Sequence, residues 1–403
     1  MCRPRPRENE WAAHASARVQ WPRAFAPGRK LAPAPCSRQN HCVGRPLAKL
    51  ARARTYQTQY AVSMREPLRN VYINAEGLIF RRGRIYREAF AHDLYWAEYR
   101  RPTAYARFLL KNYWLRRGRR EVSTGVWICD NLSASNYHHW LIDCLPRLLR
   151  AEELFPGNGL LLLPSGFRRN PYVEFTLCAF PGIKHIRWMS GRVKTRVARL
   201  AVVPRPPAFV YRRRELEEVA RRVAAVAGPS GSSRRVYFSR ADARRRRAWN
   251  ETALVRLLRS YDFEIIRIDP AKPWEQVRAA RGARVILGVH GAALSNLIFM
   301  QAGGRLIELR HGREDVFLDS YRPLAEAMGV DYRMQVCMPT RDSGVPDPRA
   351  REVESLLQPI PFGAPPDVAR LRPSGDPLYE LNDEDLLVDL DRLRTTLNEA
   401  LGT

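Results

Sequence analysis

The sequence has little lysine, no paired cysteine motif and no long apolar run, and each of these absences excludes a class of protein. Only 6 of the 68 cationic residues are lysine. The positive charge is therefore explained equally well by Arg-rich codon usage and by selection for a polyanionic partner. The seven cysteines are odd in number and include no CxxC pair, which disfavours both a disulfide framework and a zinc framework. No run reaches the roughly 18 apolar residues of a membrane span, and the first residues lack the apolar stretch of a signal peptide. We therefore expect a soluble protein in the reducing cytoplasm.

What is present is a large apolar fraction and a strong positive charge. With 403 residues, 45% of them hydrophobic, the chain can bury a sizeable core and is expected to form two or three domains. The net charge of +27 would attract nucleic acid, acidic sugars or an anionic membrane surface. The sequence contains neither a recognisable nucleic-acid docking motif nor aromatic residues interleaved with the basic ones. No nucleic-acid partner is therefore expected.

Apolar segments of strand length alternate with short amphipathic segments beyond residue 60, a pattern that predicts an α/β fold. Short strands at 70–90 and the segment up to about residue 120 predict an antiparallel entry region. Further along, the pattern predicts a helix at 251–259, a strand at 285–289 and a closing helix at 383–401. Residues 1–60 carry 12 cations and 2 anions without periodicity, and we interpret them as a disordered basic tail that could contact an anionic membrane. A Gly-Pro-Ser linker follows residue 227. The predicted divisions are the tail at 1–60, an α/β domain at 61–228, a doubly wound domain at 229–338, and an irregular excursion with a closing helix at 339–403.

The sharpest local feature is an apolar strand that turns at once into a segment of small residues, VILGVHGAALSN at 285–296. Gly291 and Ala292 would let an anion reach the free N–H groups of a helix start, and His290 can add a donor. In a doubly wound sheet, ligands bind at this end of the strands. The alternative is that the small residues only let the helix pack closely on the sheet.

A second feature is the sequence NYHHWLIDCLPRL at 136–148, which predicts an amphipathic helix. His139, Asp143 and Arg147 recur every four residues and share one face. A carboxylate one turn from an imidazole raises its basicity and fixes its tautomer, as a general base or a phosphate-orienting group requires. The alternative is an ordinary surface pair. No histidine has HExxH spacing, so no metal is expected.

A third feature is arginine directly after a strand, in VYFSR at 236–240. Arg240 could bind phosphate with two hydrogen bonds. Asn250 and Glu251 follow a run of four arginines, and Asn250 could equally be a helix N-cap. Glu308 ends a later strand, where an acidic residue suits ribose hydroxyls or a structural ion pair.

Together these segments resemble glycosyltransferase family 61, whose bacterial members are often labelled capsular polysaccharide biosynthesis proteins. The likeness covers roughly residues 70–336 and rests on the motif at 136–148 and on the run from YFSR through VILGVHGAALSNLIF to LIEL. Ser295 and Val289 are mild departures from the family pattern. The resemblance implies inverting, metal-independent transfer from a nucleotide sugar, commonly UDP-linked, by two Rossmann-like domains that face a cleft (GT-B architecture).

The resemblance and the motifs together assign roles. The base is His139 or Asp143, and the partners are a nucleotide-sugar donor and a glycan or lipid-linked glycan acceptor. Asn136 and Arg147 would orient the acceptor or a phosphate. The residues expected to bind the donor are Arg240, Asn250, Glu251, His290, Gly291, Ala292, Asn296 and Glu308. A catalytically degenerate homologue that only binds sugar nucleotide is the alternative.

Overall fold

A computed structural model gives the fold of the chain as two sheets with helices packed on them. It describes residues 66–91, 96–97, 99–115, 118–130, 133, 136–155, 159–190, 193–206, 209–311, 321–340 and 385–402. The basic tail predicted at 1–60 and nearly all of the predicted excursion lie outside these residues. None of the described helices is long and apolar enough to cross a membrane.

The first sheet is mixed and has seven strands in the order β3-β2-β1-β7-β4-β5-β6. Its three-strand edge, β1 to β3, is antiparallel, whereas β7, β4, β5 and β6 are parallel. This antiparallel edge differs from the parallel sheet that is typical of a Rossmann-like lobe. The strands are β1 Leu68–Ile73, β2 Ile79–Arg81, β3 Arg84–Ile85, β4 Arg119–Trp127, β5 Leu160–Pro164, β6 His185–Met189 and β7 Lys194–Val202.

The second sheet has six strands in the order β13-β12-β11-β10-β8-β9. Five of them, β8 to β12, are parallel and follow the doubly wound order 2-1-3-4-5. The strand order reverses between β8 and β10, so the crevice at their carboxyl ends is where such a sheet binds ligands. The strands are β8 Arg235–Ser239, β9 Glu264–Arg267, β10 Val285–Val289, β11 Arg305–His311, β12 Asp331–Pro339 and β13 Leu386–Leu387.

Helices connect the strands and cover the sheets. Two of them adjoin π-helical turns: α1 continues into Leu110–Leu115, and α2 is preceded by His139–Cys144. The segment Ala292–Phe299 after β10 is a 3-10 helix. The α-helices are α1 Pro102–Leu109, α2 Leu145–Leu154, α3 Pro171–Leu177, α4 Arg213–Ala227, α5 Glu251–Arg259, α6 Pro273–Gly282, α7 Tyr321–Met328 and α8 Leu390–Leu401.

Helix α4 lies in the chain between the last strand of one sheet and the first strand of the other. Leu216, Val219 and Val223 recur at helical spacing and are buried, while arginines and glutamates occupy its other faces. These apolar residues belong to a hydrophobic cluster that contains side chains from both sheets. The two sheets therefore share buried apolar contacts, and the predicted domain boundary at 228/229 remains a prediction.

The structure differs from the sequence-based prediction in three elements. The segment expected to be an antiparallel entry region contains α1 and the parallel strand β4. The closing helix begins at Leu390, because residues 386–387 pair with β12 as β13. Asp385 holds that pairing in place, since its buried carboxylate accepts hydrogen bonds from the backbone and the guanidinium of Arg247.

Candidate active site

Four strand ends and one helix surround the candidate site. Asp130 and Arg205 follow β4 and β7 of the first sheet, and Arg240 and His290 follow β8 and β10 of the second. The carboxyl ends of parallel strands meet at one edge of a sheet, so each pair lies together. The helical segment that contains His139 runs from residue 137 to 154 beside them.

The imidazole–carboxylate pair predicted on this helix is present. His139 Nδ1 lies 2.7 Å from Asp143 Oδ2. The same carboxylate oxygen accepts from Arg205 Nη2 at 2.9 Å. Burial alone would raise the pKa of Asp143, but Arg205 and the hydrogen bond from His139 lower it on balance. Asp143 is therefore a buried anion that holds the Nδ1 side of the imidazole.

Arg205 was not predicted, and it joins this pair to a second buried carboxylate. Its Nη1 lies 3.3 Å from Asp130 Oδ2, and Arg147 Nη1 lies 3.4 Å from the same oxygen. The attraction of Asp143 and Asp130 outweighs the effect of burial and raises the pKa of Arg205. The negative charges of two carboxylates are thus balanced by the positive charges of two guanidiniums next to His139.

The structure places Arg147 among protein partners, and its expected role in orienting an acceptor or a phosphate stays a prediction. Its side chain is buried, and Nε donates to the carbonyl of Val203 at 2.8 Å. With Asp130 as its other partner, it ties the end of β7 to the end of β4. We interpret Arg147 as a structural residue that fixes the two loops carrying Asp130 and Arg205.

The beginning of the helix is fixed by a side-chain cap and by a buried tryptophan. Asn136 Oδ1 accepts from the backbone N–H of His138 at 2.9 Å, so Asn136 acts as a cap rather than as a demonstrated substrate contact. Trp140 is fully buried and donates to Thr176 Oγ1 at 2.8 Å. The π-helical turn that follows Asn136 and His138 is a feature that occurs frequently at functional sites.

Two hydrogen bonds connect this helix to the glycine-containing segment of the second sheet. Tyr137 Oη donates to Asn296 Oδ1 at 2.7 Å, and His138 Nδ1 lies 2.7 Å from Ser295 Oγ. Asn296 Nδ2 in turn donates to Gln276 Oε1. Asn296 is fully buried, so it joins the two sheets and is not placed for the expected donor contact.

Arg240 lies where the prediction put a phosphate-binding guanidinium. Nε and Nη2 donate to the backbone carbonyls of Arg246 and Arg245 at 2.8 and 3.0 Å. Within the described part of the chain no carboxylate contacts this guanidinium. Burial, and the positive charges of Arg246 and Arg245, lower its pKa to about 9. Arg240 is thus a partly buried cation without a carboxylate partner among the described residues, and it lies in the crevice where the strand order reverses.

Gly291 leaves the space that this guanidinium needs. Its backbone is extended, so the glycine is not required by its φ angle. A Cβ at this position would collide with Nη1 of Arg240. Ala292, which begins the 3-10 helix, is partly exposed beside it. The predicted pairing of Arg240 with the His290–Gly291–Ala292 loop is therefore geometrically present, although the helix is 3-10 rather than α.

His290 and Glu308 form a buried pair in which Nδ1 contacts Oε1. Glu308 is fully buried, and its other oxygen accepts from Tyr332 Oη at 2.6 Å. Both oxygens have a partner, so Glu308 is placed to orient His290, and its expected contact with ribose stays a prediction. Burial lowers the pKa of His290 despite the attraction of Glu308, which leaves the imidazole neutral near pH 7.

An aromatic side chain separates the histidines of the two sheets. The ring of Tyr321 lies 5.5 Å from that of His138 and 5.3 Å from that of His290. Its hydroxyl donates to the carbonyl of Gly291 at 2.7 Å. Burial raises the pKa of Tyr321 above its ordinary range, so the hydroxyl keeps its proton. The base candidate and the anion site are thus parts of one connected cluster.

Two predicted donor residues serve other purposes in the structure. Asn250 uses both polar atoms of its side chain on the backbone of Val388. Glu251 Oε1 accepts from Ser239 Oγ at 2.6 Å, and Ser239 immediately precedes Arg240 in the chain. Asn250 therefore fastens the carboxyl-terminal segment, whereas Glu251 supports the end of β8.

No group of three or more His, Cys, Asp or Glu side chains is placed to hold a metal ion in the regions that the structure describes.

The comparison with known families places this site in a known enzyme class. Residues 137–307 match the family model described as Glycosyltransferase 61. The chain therefore contains a glycosyltransferase family 61 domain, and the protein is a glycosyltransferase. The matched segment begins at the helix of His139 and includes both the Arg240 and the His290 loops. No curated protein matched the chain in a sequence search.

Proposed function

We propose that this glycosyltransferase transfers a sugar from a nucleotide-sugar donor to a glycan acceptor, with inversion at the anomeric carbon and without a metal ion. The observation that carries the proposal is Arg240, a partly buried guanidinium without a carboxylate partner among the described residues, in the crevice beside Gly291. A diphosphate supplies the negative charge that this cation lacks. UDP is the nucleotide that the family resemblance favours.

Arg240 and the loop after β10 would stabilise the leaving diphosphate. In the transition state the sugar–phosphate bond lengthens and negative charge develops on the β-phosphate. The guanidinium and the first N–H groups of the 3-10 helix, which lack an intrahelical partner, would donate hydrogen bonds to the phosphate oxygens on which that charge develops. Their combined positive charge is the contribution that a divalent cation makes in other transferases, which is our reason for proposing metal-independent transfer.

His139 is our candidate for the general base, in preference to Asp143. Asp143 is engaged by both His139 and Arg205, and Arg205 lowers its basicity. Through Nδ1–H, His139 donates to this carboxylate, which leaves Nε2 as the basic nitrogen. Nothing in the described part of the chain hydrogen-bonds Nε2, and His139 is only partly buried. Nε2 is therefore the group that can reach an acceptor hydroxyl.

The proposed step balances in atoms and charge. The acceptor oxygen attacks the anomeric carbon while its proton passes to Nε2 of His139. The bond from the anomeric carbon to the phosphate oxygen breaks, and its electron pair leaves with the nucleoside diphosphate. The imidazolium that forms is stabilised by Asp143, which stays ionised because Arg205 neutralises part of its field.

His290 would contact the donor through Nε2, because Glu308 holds Nδ1. In its neutral form Nε2 accepts a hydrogen bond from a hydroxyl. Between a bound diphosphate and Glu308 the protonated form is favoured, and Nε2 then donates to a phosphate oxygen. In either form Glu308 acts through His290.

The proposal extends to the arrangement of the two sheets and to the cellular process that the enzyme serves. We propose that the two sheets form facing lobes of a GT-B architecture, with the donor on the second sheet and the acceptor against the first. Capsular or exopolysaccharide synthesis in the cytoplasm is the setting that the family resemblance favours, with an acceptor that is a glycan or a lipid-linked glycan.

A donor screen tests the proposal. The protein would be heated with UDP, GDP, CDP and dTDP sugars, and transfer to a panel of glycan acceptors would be followed with and without EDTA. We expect one nucleotide to raise the melting temperature, transfer to persist in EDTA, and the product to have the inverted anomeric configuration. Retention of configuration or loss of activity in EDTA would contradict the mechanism. Stabilisation without transfer to any acceptor would favour a catalytically degenerate homologue.

A further inference from the structure

The outer face of the helix formed by α1 and its π-helical continuation exposes large apolar side chains. Trp114 is 69% exposed, Leu115 66% and Leu110 47%. They share one face because a π-helical turn brings residues four and five positions apart into register. The opposite face is anchored, since Phe108 and Asn112 are buried. These three exposed side chains, which we call the Trp114 face, are not accounted for by the active site.

The chain segment that carries the Trp114 face is rich in cations. Residues 100–120 contain eight cations and no anion. Exposed arginines precede α1, lie one turn before Leu110 and follow Trp114 in the chain. Ion pairs of this segment within the described part of the chain include Glu76 with Lys111 and Glu121 with Arg119. The segment keeps a strong positive excess beside exposed tryptophan and leucine.

We propose that the Trp114 face binds the surface of an anionic phospholipid membrane, with the tryptophan and leucines in the boundary between headgroups and acyl chains. A helix with apolar residues on one face and flanking arginines has the composition of an interfacial anchor. Clusters of four to eight cations on such a helix bind anionic lipids. A soluble polyanion would satisfy the arginines but would leave the apolar side chains in water, so the membrane is the better match.

The position of the Trp114 face leaves the active site accessible. The carbonyl of Asn112 accepts from Lys194 Nζ, and Lys194 begins β7. Arg205 follows the other end of that strand, which has nine residues and therefore spans roughly 30 Å. Membrane binding at one end of the first sheet would not cover the cleft at the other. The inference is independent of the proposed reaction.

Vesicle co-sedimentation of the full chain tests this inference. Vesicles with roughly 30% phosphatidylserine would be compared with pure phosphatidylcholine vesicles. We expect binding to the anionic vesicles that weakens with salt. The double variant Trp114→Ser/Leu115→Ser should bind about tenfold more weakly or worse, because the apolar insertion is lost. The control is Val226→Ser/Met338→Ser, which removes exposed apolar side chains elsewhere and should bind like the unchanged protein.

The outcomes separate the Trp114 face from the rest of the basic surface. Equal binding of the two double variants would overturn the inference, because any attraction would then come from charge elsewhere, including residues 1–60. Absence of binding to anionic vesicles would overturn it as well. All the substituted side chains are exposed, so circular dichroism should show folded variants. Donor-induced stabilisation should be unchanged in both, which keeps this test separate from the test of the reaction.

Discussion

His139 and Asp143 are one helical turn apart, yet their surroundings give them different roles. Asp143 has two partners and is buried, whereas His139 is partly exposed and its Nε2 has no hydrogen-bond partner among the described residues. Arg205 makes this difference, because it pairs with Asp143 and lowers its pKa, which is why we propose His139 rather than Asp143 as the base. At the residue scale the account therefore rests on a buried guanidinium that the sequence motifs do not contain.

The substitution Arg205→Met should strongly destabilise the protein. It would leave Asp143 and Asp130 as buried carboxylates without their shared cation, and breaking such a buried pair costs about 3–5 kcal/mol of unfolding free energy. Urea unfolding would measure the loss. The matched control is Arg221→Met, which removes an exposed arginine paired with Glu218 and should leave the unfolding free energy nearly unchanged. Similar losses in the two variants would contradict the buried cluster.

His138 should make the stability of the protein depend on pH below neutrality. Burial, with the positive field of its neighbours, lowers its pKa from the ordinary 6.5 to about 3. Between these values the unfolded chain takes up a proton that the folded chain does not. The stability that neutral His138 contributes is therefore fully present above pH 6.5. As the pH falls below that value, the free energy of unfolding decreases by up to about 1.4 kcal/mol per pH unit.

Urea unfolding of the unchanged protein and of His138→Asn at about pH 7, 6 and 5 would check this. The unfolding free energy of the variant should change less steeply with pH, and the difference in slope should be close to the contribution of one proton. Some slope should persist, because burial also lowers the pKa of His290. An identical slope in the two proteins would mean that His138 is not buried in its neutral form.

At the scale of elements, the loop after β10 matters because it lies against the end of β8. Gly291→Ala should raise the donor KM by about tenfold or more, since the added Cβ displaces the guanidinium of Arg240 and charge-assisted hydrogen bonds contribute about 1.5–3 kcal/mol each. Steady-state kinetics with varied donor would measure it. Gly166→Ala is the control, because a Cβ there meets nothing within 4 Å. Equal donor KM values for the two variants would remove Gly291 from the donor site.

Much of the second sheet could be predicted from the sequence. The helix expected at 251–259 and the strand expected at 285–289 have those bounds in the structure, because apolar strands alternate with amphipathic segments there. Helix α1 could not be predicted, since its tyrosines and arginines obscure the apolar period. Strand β4 was missed because its first half is polar and exposed.

The site was predictable only in part, for a physical reason. The contact of His139 with Asp143 follows from helical spacing, and Arg240 follows a clear strand. Asp130 and Arg205 become neighbours only because β4 and β7 pair in parallel, and sequence spacing carries no sign of that pairing. The signal in the sequence was weaker: Asp130 directly follows a buried apolar run, and Arg205 lies just beyond the end of β7.

At the scale of the whole molecule, the candidate site exists only because the two sheets meet. The bonds from Tyr137 to Asn296 and from His138 to Ser295 join segments almost 160 residues apart in the chain. They bring the base candidate of one sheet beside the anion site of the other. In the function that we propose, donor binding is assigned to the second sheet and proton abstraction to the first.

The most direct test of this division is calorimetric titration of the preferred nucleoside diphosphate, combined with transfer rates at saturating donor, for Arg240→Gln and His139→Asn. We predict that Arg240→Gln weakens nucleotide binding by about tenfold or more. His139→Asn should bind the nucleotide normally but lose about 10²–10⁴-fold in kcat. Normal binding by Arg240→Gln, or normal turnover by His139→Asn, would contradict the account.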